Sequence, residues 1–135
     1  MSKKIFINLP VANLAKSMDF YSSIGFTNNP QFTDETAACM VLTDEIYVML
    51  LTHNKLSEFT GKAIINAKTT VGVINCISVD SAAEVNSITE AAIKAGGAEP
   101  TPAKDYGFMQ QRSFEDPDGN DWEVIYMDMS KFPGQ

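Results

Sequence analysis

Glu123 is the residue in this 135-residue chain whose setting most calls for a chemical explanation. It is a lone carboxylate among Trp122, Val124, Ile125 and Tyr126, a run with the composition of a strand. An acid so placed must be exposed, paired or bound to a cation, because an isolated buried charge is costly. The segment before it offers a partner. Asp116-Pro117-Asp118-Gly119 is a turn sequence: Pro presets φ, Asp bonds its own backbone and Gly accepts positive φ. Strand-forming residues flank it, so 112–126 reads as a β-hairpin. With a four-residue loop, 116–119, Glu115 pairs with Asn120 and Arg112 falls opposite Glu123. Directly opposed side chains lie about 5 Å apart at Cβ, within reach of a bidentate guanidinium–carboxylate pair. Such a pair either serves a binding site or only holds the hairpin together. A register change of one residue would carry Arg112 to the other face.

Other reactive residues are few. The single histidine, His53, follows a predicted strand and reads as a solvated or structural residue. Cys39 and Cys76 each fall inside a predicted strand and read as buried, reduced thiols; two cysteines in a chain able to build a core make no disulfide framework. There is no nucleophile elbow, no glycine-rich phosphate loop and no Cys-x-x-Cys. A net charge of −7 argues against nucleic acid or an anionic membrane as partner. Met1-Ser2-Lys3-Lys4-Ile5 carries no apolar leader and no run reaches membrane-spanning length, so the expectation is a cytoplasmic protein.

The elements that must position Glu123 follow from periodicity. Residues 3–9 alternate with period 2, and Pro10 ends that strand. Asn13 is a good N-cap for a helix carrying Leu14, Met18, Tyr21 and Ile24, which Gly25 stops. Strands are expected over 26–32, with a bulge or turn at Asn28-Asn29-Pro30, and over 36–42 and 46–52. Residues 53–70 form a connector with one short amphipathic helix near 54–66, acting as a lid, a dimer contact or a packed linker. The order then recurs. A strand over 71–79 precedes a helix capped by Asp80 or Ser81 and stopped by Gly96-Gly97. A short edge strand over 98–104, broken by Pro100 and Pro102, precedes hairpin arms at 108–115 and 121–129; the tail 130–135 is expected to fray. The class is α+β: one domain, 1–135, of two paired β-α-β-β-β modules (1–52 and 71–129) forming a curved mixed sheet around a cleft.

The chain resembles the vicinal oxygen chelate superfamily of glyoxalases, extradiol dioxygenases and bleomycin-resistance proteins. The resemblance rests on Ile7-x-Leu9-x-Val11-x-x-Leu14-x-x-Ser17-x-x-Phe20-Tyr21-x-x-Ile24-Gly25-Phe26, on the repeated element order, and on Phe114-x-Asp116-Pro117-Asp118-Gly119-Asn120-x-x-Glu123. Asn8-Leu9-Pro10-Val11, residues 34–40 and residues 105–109 look like a bacterial group labelled predicted lactoylglutathione lyases. In that superfamily four strands each supply one metal ligand. Carried over, those positions fall on Phe6, Leu50, Ile74 and Glu123, and only the last can bind a metal. With one carboxylate left of the four, the expectation is no metal site and no cofactor, since a catalytic centre needs about three protein ligands. The resemblance also implies a homodimer.

Strand alternation places Phe6, Leu50, Ile74 and Glu123 toward the cleft, with Asn8, Val48, Thr52 and Cys76 beside them. That pocket is apolar with few polar groups and suits a small organic ligand. Tyr106, Phe108 and Met109, bent at Gly107, either wall it or pack in the core; Trp122 and Tyr126 face the helices. The functional expectation is a protein that binds a small organic molecule, with Arg112 as counter-charge to Glu123. The alternative is a lactoylglutathione-lyase-like lyase or isomerase using Glu123 as base.

Overall fold

Ile7, Leu9 and Val11 alternate with Phe6, Asn8 and Pro10, and β1 (Ile5–Val11) buries the first set progressively along its length. The fold is that of a computed structural model, described over residues 3–133; Met1, Ser2, Gly134 and Gln135, the last two in the tail expected to fray, lie outside the described residues. Two compact units divide the chain, 1–66 and 67–135, with the boundary inside the expected connector.

In the first unit β1 runs parallel to β4 (Ile46–Thr52), and β3 (Ala37–Val41) and β2 (Thr27–Asn29) complete the order β1-β4-β3-β2. Helix α1 (Leu14–Ser23) begins where the Asn13 side chain accepts the Lys16 N–H at 3.1 Å, and ends before Gly25, whose φ is +107°. Its Phe20 and Tyr21 are buried, as are Leu9, Val11, Met40, Val48 and Leu50. The expected 26–32 strand stops early. Asn29 accepts the Gln31 N–H, and Pro30 has no N–H to give a ladder, so Pro30–Phe32 turns into a single 3-10 turn. The expected connector helix is likewise one turn, α2 (His53–Leu56), capped by Thr52.

The second unit repeats the topology. β5 (Ile74–Ser78) runs parallel to β8 (Asp121–Met127), with β7 (Met109–Glu115) and β6 (Lys104–Asp105) outside them in the order β5-β8-β7-β6. Helix α3 (Ala82–Lys94) is capped by Ser81 and packs on β7 and β8 through a face that includes Val85, Thr89 and Ala92. Trp122, Val124 and Phe114 are fully buried, and the Trp122 and Phe114 rings stack. The chain is therefore α+β with two four-stranded mixed sheets, as its patterning predicts. Between Gly97 and Lys104 the expected edge strand is reduced to one bridge, Ala98 to Glu115, because Pro100 and Pro102 cannot donate to a ladder; the edge position passes to the two-residue β6. The start of the tail is held: Met129–Lys131 forms a 3-10 turn, and the Phe132 ring meets Phe108 edge-on at 4.7 Å.

The turn of the β7–β8 hairpin sets the register of both its arms. Gly119 N–H donates to Asp116 O at 2.9 Å, closing the expected turn, but Asp116 N–H then donates to Asn120 O at 3.0 Å. The Asp116 carboxylate accepts from the Asp118 and Asn120 N–H groups and from the Asn120 amide, each at 2.9 Å. Gly119, at φ +90°, is an extra, bulge-like residue. The loop is thus 116–120, and Glu115 pairs with Asp121 instead of Asn120. Gly119 is also sterically required: a Cβ there would stand 2.7 Å from the Lys68 backbone N.

Candidate functional site

The bulge shifts the hairpin by one residue, and every side chain on β7 changes its partner. Ser113, not Arg112, lies opposite Glu123; Arg112 lies opposite Val124. Arg112 and Glu123 therefore project from opposite faces of the sheet, and the expected counter-charge pair does not form. Arg112 turns to the helix side. Its Nε and Nη2 make a bidentate pair with Glu99 at 2.9 Å each, Nη2 also meets Glu90 at 2.8 Å, and Nη1 donates to Asn86 at 3.1 Å. These bonds tie β7 to α3 and to the segment before β6. They hold the Glu99 carboxyl below its ordinary range, chiefly through the Arg112 hydrogen bonds, and keep Arg112 charged.

Glu123 sits on the face away from α3. Gln111, its diagonal neighbour, donates Nε2–H to Glu123 Oε2 at 2.9 Å. Cys76 is its lateral partner on β5. Ser113, directly opposite, shares a 2.8 Å hydroxyl–hydroxyl bond with Thr101. Glu123 is only half-buried, yet among the described residues it makes no ion pair. At one end of this face Glu115 and Asp121 stand opposed across the ladder. Burial raises both carboxyls, and the charge of Asp121 raises Glu115 further. Cys39 is buried as expected, whereas Cys76 is exposed on this face. Desolvation and then the charge of Glu123 push the Cys76 thiol upward, so it resists ionisation.

The other expected site residues separate by face. Phe6 and Asn8 project from the exposed side of the first sheet, where the Phe6 ring stacks on Tyr47 at 4.5 Å. Leu50 does not join them. Its parallel partner is Leu9, it is fully buried, and its face carries Val48 in the core of the first unit. The cause is parity: Phe6 pairs with Tyr47, so the residues of β4 that share its face are Tyr47, Met49 and Leu51. Ile74 does share the face of Glu123 and is 47% exposed. Tyr106, Phe108 and Met109 surround a tight turn closed by Tyr106 N–H to Met109 O at 2.8 Å, with Gly107 at φ +83°. Within it Tyr106 is exposed, Phe108 packs on Phe132, and Met109 begins β7. His53 is exposed at the first position of α2.

Gln111, Ser113 and Thr101 were not among the expected residues. The signal for the first two is present in the sequence: Asn120 following Gly119 extends the loop, and a count from a five-residue loop puts Ser113 opposite Glu123. Thr101 carries no such signal, because it lies outside any strand.

These donors do not suit a divalent metal. Two of the four family positions, Phe6 and Ile74, are exposed hydrocarbon, and Leu50 is core. Among the described residues no three of His, Cys, Asp and Glu stand together in a way that could hold an ion.

Comparison with known proteins agrees with the topology. The model of the glyoxalase/bleomycin resistance protein/dioxygenase superfamily matches residues 5–124, and the chain belongs to that superfamily. Its fold is shared with a hypothetical protein from S. aureus (21% identity, 93% of this chain and 94% of that one, TM-score 0.78). It is shared equally with a glyoxalase-related enzyme from Fulvimarina pelagi (21% identity, 93% and 88%, TM-score 0.78). A family enzyme from Burkholderia phytofirmans is also similar (15% identity, 93% and 99%, TM-score 0.75). No curated protein matches the chain. Among the described residues no helix is long and apolar enough to cross a membrane.

Proposed function

We propose that this superfamily member binds a small organic molecule on the exposed face of its second sheet, around Glu123, without a metal centre. The observation that supports this is the state of Glu123: a half-buried carboxylate, fixed by Gln111 at 2.9 Å and left without an ion-pair partner among the described residues. By contrast Glu99, in the same unit, is paired with Arg112 at 2.9 Å. Ile74, Ile125 and Met109 share the Glu123 face and supply apolar surface for a ligand body.

A second reading keeps Glu123 as a general base in a lyase or isomerase of the glyoxalase type. It is favoured by Oε1, which accepts no hydrogen bond from the described residues and so is open to a substrate proton. Against it stand the missing metal ligands, which in such chemistry would stabilise an enediolate. A homodimer, which the superfamily resemblance implies, accompanies both readings.

Native mass spectrometry of the purified protein, with small molecules released and identified, tests the first reading. A stoichiometric organic ligand that is lost in Glu123→Gln supports it. Turnover of the methylglyoxal–glutathione adduct by wild type, with stoichiometric Zn, Ni or Mn, would replace it with the second.

A further inference from the structure

We infer that the ligand of the Glu123 face carries a positively charged hydrogen-bond donor, an amine or amidine group, on an aromatic or aliphatic body. This rests on the binding reading above and narrows it to a chemical class.

Charge bookkeeping within the second unit leads to it. Arg112 is over-supplied, with Glu99 and Glu90 both within 2.9 Å, and it is turned away from the face that holds Glu123. Glu123 is under-supplied. Among the described residues its one side-chain partner is the neutral amide of Gln111. Because an ionised carboxylate only accepts, the Gln111 amide must point its nitrogen at Glu123, which aims its oxygen elsewhere. The pair then offers an incoming group Glu123 Oε1 and Gln111 Oε1, both acceptors. Among the strand residues of this face two further acids, Glu115 and Asp121, outweigh one cation, Lys104, at the sheet edge opposite Gln111. An anionic ligand would meet repulsion, and a neutral one would leave the carboxylate uncompensated once water is displaced. A cation with two or more N–H groups satisfies both acceptors and gains charge-assisted bonds.

Gln111 is by the same geometry a positioning residue. It holds one carboxylate oxygen and so fixes the direction in which the other faces.

Three nearly isosteric probes test the class: benzamidine (cation), benzamide (neutral) and benzoate (anion). Each is titrated into the full chain while the side-chain amide resonances of Gln111 are followed by NMR. Benzamidine is expected to saturate and to bind at least ten-fold more tightly than the other two. Glu123→Gln, nearly isosteric, should weaken benzamidine at least ten-fold with circular dichroism unchanged. In Gln111→Leu, where the backbone amides of β7 and β8 report binding instead, benzamidine should weaken several-fold and its difference from simple benzylamine should vanish. Benzamide or benzoate binding as tightly as benzamidine at Gln111 would overturn the charge class and leave the binding face standing. Equal benzamidine affinity in Glu123→Gln would overturn the role of the carboxylate. Silence of the Gln111 amide with all three probes would overturn both the class and the reading beneath it.

Discussion

The two units of this chain share one topology and differ in the chemistry they display. In both, a strand, a helix and three further strands give a four-stranded sheet with a parallel pair, β1 with β4 and β5 with β8. In both, one face is packed with large apolar side chains: Leu9, Val48, Leu50 and Phe20 in the first, Trp122, Val124, Phe114 and Val85 in the second. The difference lies on the other face. Across the parallel pair the first unit sets Phe6 against Tyr47, a ring stack, and the second sets Cys76 against Glu123. Burial constrains the core face tightly, since a void or an unpaired polar atom there costs several kcal/mol. The exposed face is under no such demand, so it is where function is free to differ between repeats.

Substitutions that treat the faces alike should break this contrast if it is wrong. Leu50→Ala, in the core of the first unit, is expected to cost about 2–5 kcal/mol, and Phe6→Ala, a half-exposed stacked ring, about 1 kcal/mol. Chemical denaturation measures both. Equal costs would mean that Leu50 does not occupy the core.

A smaller effect is expected from Arg112→Met. Losing a bidentate, partly buried pair should cost about 1–3 kcal/mol at pH 7. The dependence on pH has a definite sign. Glu99 is depressed in the folded state, so its pairing stabilises above its ordinary value of 4.5 and is lost as pH falls through the lower folded value. The gap between wild type and Arg112→Met should therefore narrow below about pH 4 in thermal melts. A gap that is flat down to pH 3 would show that the pair contributes through packing alone.

The smallest change is expected at the acidic end of the second sheet. Glu115 is raised by burial and by Asp121, so the folded state is penalised as pH rises from the ordinary value of 4.5 through the raised folded one. Glu115→Gln should stabilise by up to about 1 kcal/mol at pH 7 and by nothing at pH 3. Destabilisation at pH 7 would assign Glu115 a structural partner and break the claim that this end of the face is an uncompensated acidic surface.

Much of the architecture is legible in local residue order because local order is what sets it. Period-2 alternation names β1, Asn13 and Ser81 accept the first helical N–H groups, and Gly25 takes a positive φ. The turn at Asp116-Pro117-Asp118-Gly119 is equally local, and it forms. What these residues leave open is whether Asn120 belongs to the strand or to the loop. That choice depends on the Asp116 carboxylate capping Asn120 and on the connector backbone pressing against Gly119. Because side chains alternate, one residue of loop moves Arg112 from Glu123 to Glu99, Glu90 and Asn86, contacts made between separate elements. The same parity removed Leu50 from the exposed face. Residue order thus determined the elements and the carboxylate at Glu123, through short-range steric and hydrogen-bonding preferences. Only the tertiary structure decided its neighbours, through a hairpin register that the packing around the turn selects.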